Sequence, residues 1–366
     1  MATRIIICCL VVLCSSGLAF AQQPPTTSSS PIAAVPASEA TPKSVPDLVN
    51  QLDQSGLQEV IEKLRSNYVD PSALTNQEIN QAAVEGLLSR LGPGATIQTR
   101  AQAEQPPRTF PLKSDLIEKQ FGYVRLGSFT RQSLTQLDDI LNDLVARGAG
   151  GLILDLRTMP PGSDFQLAAD ILDRFVPKGR VLFKLVQREE EPERIYTSVT
   201  DPIFSGAIAV LVSPENAGTA EAIAGTLRSE VHALIIGQKT SGRAAEYERY
   251  LLGDGLVLTV AVGKLVIPGT STIFPNGLTP DISVSLPKKQ QDTILELEDE
   301  NGIRDYIFDE ERLHTNEAAL VAGKNPDLDA YETEHMNGSA KPHTPKDVVL
   351  QRAIDFVRTI SVFGVK

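Results

Sequence analysis

Four short apolar runs, separated by stretches of helical period, constrain this chain more than anything else in it. They are 121-FGYVRLGSF-129, 151-GLILDL-156, 207-AIAVLVS-213 and 233-ALIIGQ-238. After the first, Leu134, Leu137, Leu141, Leu144 and Val145 share one helical face that Gly148 ends; further helices are expected from Asp164 to Phe175 and from about Ala217 to Val231. Strands alternating with helices in this way make right-handed crossovers, so the pattern predicts an α/β fold with a mostly parallel sheet. Beyond the fourth run, 249-RYLLGDGLVLTVAVGKLVI-267 and 277-GLTPDISVSL-286 read as β-hairpins, the first turning at Gly253-Asp254-Gly255.

The chemistry is concentrated in three stretches: 155-DLRTMPPG-162, 211-LVSPENAGTAEAIAGTL-227 and 237-GQKTSGRAAEY-247. Their frame resembles that of the carboxyl-terminal processing (tail-specific) peptidases. In that family a serine motif runs N-x-G-S-A-S-A-S-E-I-x-A-G and a lysine motif runs G-E-x-T-F-G-K-G. Aligning Glu221, Ala224 and Gly225 puts Gly218 where the nucleophilic serine belongs. Aligning Gly237, Thr240 and Gly242 puts Arg243 at the general-base lysine and Tyr247 at the glutamine that orients it. The family's D-L-R-x-N-P-G-G motif matches at Asp155, Leu156, Arg157, Pro160 and Gly162, with Pro161 in place of an oxyanion-hole glycine. The resemblance implies a ClpP/crotonase-like core, preceded by a small N-terminal helical region.

Elementary chemistry judges each change. Glycine offers no hydroxyl or thiol for acyl transfer. Arginine stays protonated at any physiological pH and cannot act as a base. Proline has no N–H to present to an oxyanion. No catalytic residue is therefore expected at the dyad positions. Gly162 and the amide of Thr219 remain as donors, the N-terminus of the 217–231 helix favours an anion, and Arg243 adds a fork suited to a carboxylate. The resulting expectation is a pseudopeptidase binding a peptide or unfolded-protein C-terminus, or a small carboxylate, through Arg243, Gly162 and Thr219.

Two other readings carry their own residues. A displaced dyad would use Thr219 or Ser213 with Lys239, although Thr219 is turned about 100° around the helix from position 218. An interaction subunit would dock on an active peptidase homologue through residues 287–345. Asp155 and Arg157 read as a structural ion pair, and Glu296, Glu298, Asp299 and Glu300 as a solvated acidic face rather than a calcium loop. His232, His314, His335 and His343 lack ligand spacing, so no metal is expected, nor any cofactor.

Residues 1–21 combine Arg4, an apolar run from Ile5 to Leu13 and an Ala19-Phe20-Ala21 ending, the three parts of a signal peptide. An exported chain, periplasmic or secreted, is expected, with no membrane span after cleavage. All three cysteines, Cys8, Cys9 and Cys14, fall inside that segment, which leaves no disulfide or thiolate chemistry beyond it. A net charge of −12 disfavours nucleic acid as a partner.

Residues 22–47 read as a disordered linker rich in Pro, Ser and Thr, and 48–98 as the helical region. In it Leu57, Val60, Ile61 and Leu64, then Ile79, Ala83, Leu87, Leu88 and Leu91, recur at helical spacing around a Tyr68-Val69-Asp70-Pro71 turn. A connector at 99–116 is too short for the family's PDZ module. The peptidase-like core spans 117–286, an acidic insert 287–345 and a C-terminal helix 346–366.

Overall fold

The computed structural model describes residues 49, 51–188, 191–270, 272–307 and 345–363. The expected signal peptide, the linker and positions 308–344 of the insert lie outside the described residues. The chain divides into two units, Met1–Thr75 and Asn76–Lys366, with their boundary inside the 48–98 stretch. In the first unit, helix α1 (Gln54–Asn67) starts where the Asp53 carboxylate accepts the Gly56 amide at 2.8 Å. Its stripe of Leu57, Val60 and Leu64 is 42–53% exposed, and no residue of the helix is buried.

The second unit opens with helix α2 (Asn76–Leu91), strand β1 (Ala95–Thr99) and the single turn α3 (Arg100–Ala103). The alternation read from the sequence then follows: β2 (Lys113–Ile117), β3 (Phe121–Arg125), α4 (Leu134–Ala146), β4 (Gly151–Asp155) and α5 (Phe165–Leu172). After β5 (Val181–Val186) and β6 (Arg194–Thr197) come β7 (Ala207–Val212), α6 (Thr219–Val231) and β8 (Leu234–Gly237). The remainder is β9 (Ala245–Leu251), β10 (Leu256–Val266), β11 (Ile282–Ser283), α7 (Lys288–Asn301) and α8 (Val348–Phe363).

Six strands form the central sheet in the order β11-β8-β7-β4-β3-β2, parallel throughout except for the β2 edge. Because successive side chains on a strand face opposite ways, each apolar run feeds two layers. Val124, Leu152, Leu154, Val210 and Val212 pack into one core with Leu141 of α4, Ile171 of α5 and Ile223 of α6. Tyr123, Ile153, Ala209 and Leu211 pack into the other with Leu350, Ala353, Ile354 and Val357 of α8. The C-terminal helix therefore roofs the central strands β3, β4, β7 and β8 on that face. Truncating a central side chain such as Leu154 to alanine would cost about 2–5 kcal/mol.

The second sheet is antiparallel, β1-β10-β5-β6 with β9 also on β10. The hairpin expected at 249–267 is there as β9 and β10, but the one expected at 277–286 is not. Only Ile282 and Ser283 form a strand in that stretch, and they pair parallel with Ile236 and Gly237 of β8. The central sheet also begins at Lys113, four residues before the expected core boundary at 117.

The acidic cluster is corrected too. Glu298 is fully buried, and Asp299 pairs with Lys113 and with Arg125, itself 0% exposed. The reason is electrostatic: a guanidinium taken out of water requires an anion, and α7 brings one. Glu296 stays at the surface, paired with Arg108 at 2.8 Å.

Candidate functional site

The site loops leave the C-terminal ends of β4, β7 and β8, where an open α/β sheet places its crevice. A buried charge cluster sets the first of them. Arg157, its side chain 0% exposed, donates to Asp155 through Nε (3.0 Å) and Nη2 (2.7 Å), and to Asp347 through Nη1 (3.1 Å) and Nη2 (2.7 Å). The Tyr123 hydroxyl donates to Asp155 at 2.9 Å. Asp347 in turn accepts the amides of Val349 and Leu350, both at 3.0 Å, and so starts α8. Burial would raise the Asp155 pKa, but the charge and hydrogen bonds of Arg157 hold it below the usual range. The expected Asp155–Arg157 ion pair is thus present, and it is one link of a network that joins the roof helix to the site loop.

From Arg157 the loop runs through Thr158-Met159-Pro160-Pro161 to Gly162 and meets the start of α6. Gly218 has φ 47°, a conformation that glycine tolerates and a side chain resists. A Cβ added there would lie 1.9 Å from the carbonyl oxygen of Gly162. That carbonyl accepts the amide of Thr219 at 2.9 Å. The room a residue-218 side chain needs is filled by backbone.

The same bond alters the expected anion site. The amide of Gly218 donates to Glu221 (3.2 Å), that of Thr219 to Gly162, and that of Ala220 to Ala217 (3.1 Å). These first amides of α6 are therefore engaged within the protein, and Thr219 N–H is not the free donor that the sequence led us to expect. Glu221 lies 0% exposed at the centre of this arrangement, also accepting the Thr240 hydroxyl and the Gly242 amide (2.8 Å). Burial raises its pKa, against the lowering pull of those hydrogen bonds. It ties the loop after β8 to the first turn of α6.

Arg243 takes its direction from Tyr247. The guanidinium stacks over the Tyr247 ring at 5.2 Å, and the Tyr247 hydroxyl donates to the Pro93 carbonyl at 2.7 Å. Among the described residues neither Arg243 nor Arg249 has a carboxylate within ion-pair distance. Both line a cavity of about 290 Å³, with Tyr247, Gln98 and Thr259, and no acidic side chain lines it. Thr219 borders a different cavity, of about 390 Å³, with Arg131 and Asp164. Pro161 and Gly162 belong to both walls. Of the three expected ligand residues, then, Arg243 and Gly162 come together, whereas Thr219 lies on the far side of the loop.

For the displaced dyad, Thr219 is 4% exposed and its hydroxyl donates to the Asp164 carbonyl at 3.3 Å. Ser213 is fully buried and its hydroxyl accepts the Glu215 amide at 3.3 Å. Lys239 is exposed, and no hydrogen bond links it to either. Arg249 was not read from the sequence as a site residue. The signal was available, because on β9 positions 247 and 249 share a face. Among the described residues no group of three or more His, Cys, Asp or Glu is placed to hold a metal ion, and no helix is long and apolar enough to cross a membrane.

The scaffold that carries these loops is an α/β sheet with the site at the C-terminal ends of its strands. Residues 120–284 match the model of peptidase family S41. The carboxyl-terminal-processing protease of Synechocystis sp. is 26% identical over 249 residues, which cover 64% of this chain and 57% of that protein. That of Picosynechococcus sp. is 30% identical over 174 residues, 47% and 41% of the two chains. A solved photosystem II D1 C-terminal processing protease is 25% identical, covering 52% of this chain and 48% of that one with a TM-score of 0.39. The chain spans about half the length of the curated relatives it matches.

Proposed function

We propose that this protein is a non-proteolytic member of its family that binds a peptide C-terminus, or a small carboxylate, in the cavity of Arg243 and Arg249. The observation that carries the binding half is the pairing of two guanidinium groups without carboxylate partners on a wall that holds no acid. A guanidinium fork matches a carboxylate in shape and charge. The stacking of Arg243 on Tyr247 fixes the fork in advance, which lowers the entropy lost on binding. The non-proteolytic half rests on position 218, where the Gly162 carbonyl occupies the space a nucleophile would need. The relatives are named for carboxyl-terminal processing, and that chemistry of recognition is the one retained in this reading. Export through residues 1–21 belongs to the same proposal.

The test is isothermal titration of the protein with a peptide acid and with the same peptide amidated at its C-terminus. Binding of the acid, loss of at least tenfold in affinity on amidation, and a similar loss in Arg243→Ala are expected. Equal affinity for acid and amide in the unaltered protein would sink the reading.

A further inference from the structure

Strand alternation sorts the charges of β9. Side chains on a strand point to opposite faces in turn, so Tyr247 and Arg249 share one face while Glu246, Glu248 and Tyr250 share the other. Register extends the first face across the sheet: Arg249 lies opposite Thr259 of β10, and Gln98 of β1 lies opposite Val257, two positions along β10. Tyr247, Arg249, Thr259 and Gln98 all line the cavity of about 290 Å³. On the other face the acids are engaged, Glu246 with Arg194 and Gln187, and Glu248 with the Tyr250 hydroxyl.

Arg243 reaches the same cavity from a different anchor, the loop before β9, with its guanidinium held over the Tyr247 ring. Glu221, the buried acid in the first turn of α6, accepts the amides of Gly218 and Gly242 and the Thr240 hydroxyl, and pairs with neither arginine. The lining thus carries two positive charges and no negative one. A ligand with one carboxylate would answer one guanidinium and leave the other unmatched. Charge-assisted hydrogen bonds are roughly twice as strong as neutral ones, so the second arginine rewards a second negative group. Because the two guanidinium groups come from separate anchors, their match is two carboxylates set apart on one molecule rather than a single compact anion. Gln98, Ser163 and Thr259, also on the lining, are neutral and polar, which suits the spacer between them. A chain of net charge −12 repels dianions in general, so a preference for one has to arise at this wall.

We infer that the arginine cavity is a site for a small dicarboxylate, with one carboxylate at Arg243 and the other at Arg249. This arrangement rests on the reading of the cavity as a carboxylate site and names its ligand class: a diacid is selected over a monoacid of the same size.

Titration calorimetry on the full chain at neutral pH compares succinate with succinamate, in which a neutral amide of similar shape replaces one carboxylate. Succinate is expected to bind about tenfold more tightly, and Arg249→Gln to bring the ratio of the two affinities close to one. Arg249→Lys, which keeps the charge but not the fork, should retain part of the preference. Equal binding of the two acids by the unaltered protein overturns the dicarboxylate site and leaves the carboxylate reading standing. A preference that survives Arg249→Gln overturns it as well, because the second charge is then met elsewhere. Inorganic phosphate binding as tightly as succinate has the same consequence, since two spaced carboxylates would not be required. If neither acid binds, the dicarboxylate site falls together with the small-carboxylate half of the reading, and the comparison of peptide acid with peptide amide decides the other half. Arg249 is exposed, so its variants should fold, and thermal unfolding checks this before each titration.

Discussion

Arg157 and Gly218 belong to loops that meet at Gly162, and they follow opposite rules. The Arg157 guanidinium is fully paired: two aspartates share it, one receives the Tyr123 hydroxyl, and the other starts α8. Around Gly218 and Arg243 the structure holds a glycine packed on the Gly162 carbonyl and a guanidinium stacked on the Tyr247 ring. On the proposed reading, the difference separates what holds the frame together from the chemistry that a dyad would add. A buried network needs only the fold, whereas a dyad also needs free space and a titratable base.

The largest effect should come from the first region. Asp347→Ala would leave Arg157 half paired inside the protein and remove the cap of α8. A loss of about 3–5 kcal/mol is expected in urea unfolding, and a loss below 1 kcal/mol would mean that the network contributes little to the fold. Next comes Gly218→Ser, which puts a Cβ 1.9 Å from backbone. Destabilisation of about 1–3 kcal/mol is expected from the strained conformation alone. A serine variant as stable as the parent would show that the loop moves aside, and that the two regions are less distinct than described.

A third effect is read through pH. Burial, with the charge of Asp347 beside it, pushes Glu298 up to about 9. Folded Glu298 keeps its proton to about pH 9, while an unfolded one releases it near 4.5. Its stabilising contribution is therefore fully present below 4.5 and is lost as pH rises toward 9, by at most about 1.4 kcal/mol per pH unit. Glu298→Gln should flatten the unfolding free energy between pH 6 and 9, and a slope that survives the change would place its origin elsewhere. The smallest effect belongs to exposed Lys239, where Lys239→Ala should change stability by less than about 0.5 kcal/mol and leave ligand affinity unaltered.

Much of this was legible in the sequence because burial on both faces writes itself as uninterrupted apolar runs. Leu152-Ile153-Leu154 and Ala209-Val210-Leu211 gave strands, and the helices between them gave the parallel order. Strands that carry charge were not legible: Lys113 and Asp115 obscure β2, and Arg194 obscures β6. The pairing of Ile282 with β8 depends on contact between distant segments, so a short strand looked like half a hairpin. At the site, the residue types at 218, 243 and 247 were readable, and their chemistry followed. What could not be read was where the Gly162 carbonyl points, and that one group spends the Thr219 amide and fills the space at 218. Glu298 was misread for a similar reason: a run of four acids looks solvated until tertiary packing turns one of them inward.

The most direct measurement is proteolysis itself: the unaltered full chain incubated with a dye-quenched, unfolded protein substrate, beside Gly218→Ser/Arg243→Lys and Thr219→Val. We expect no cleavage by the unaltered chain and none by the double variant, because residue 218 still meets the Gly162 carbonyl. Cleavage by the unaltered protein, abolished in Thr219→Val, would contradict the central claim and show that the chemistry moved one residue along rather than being lost.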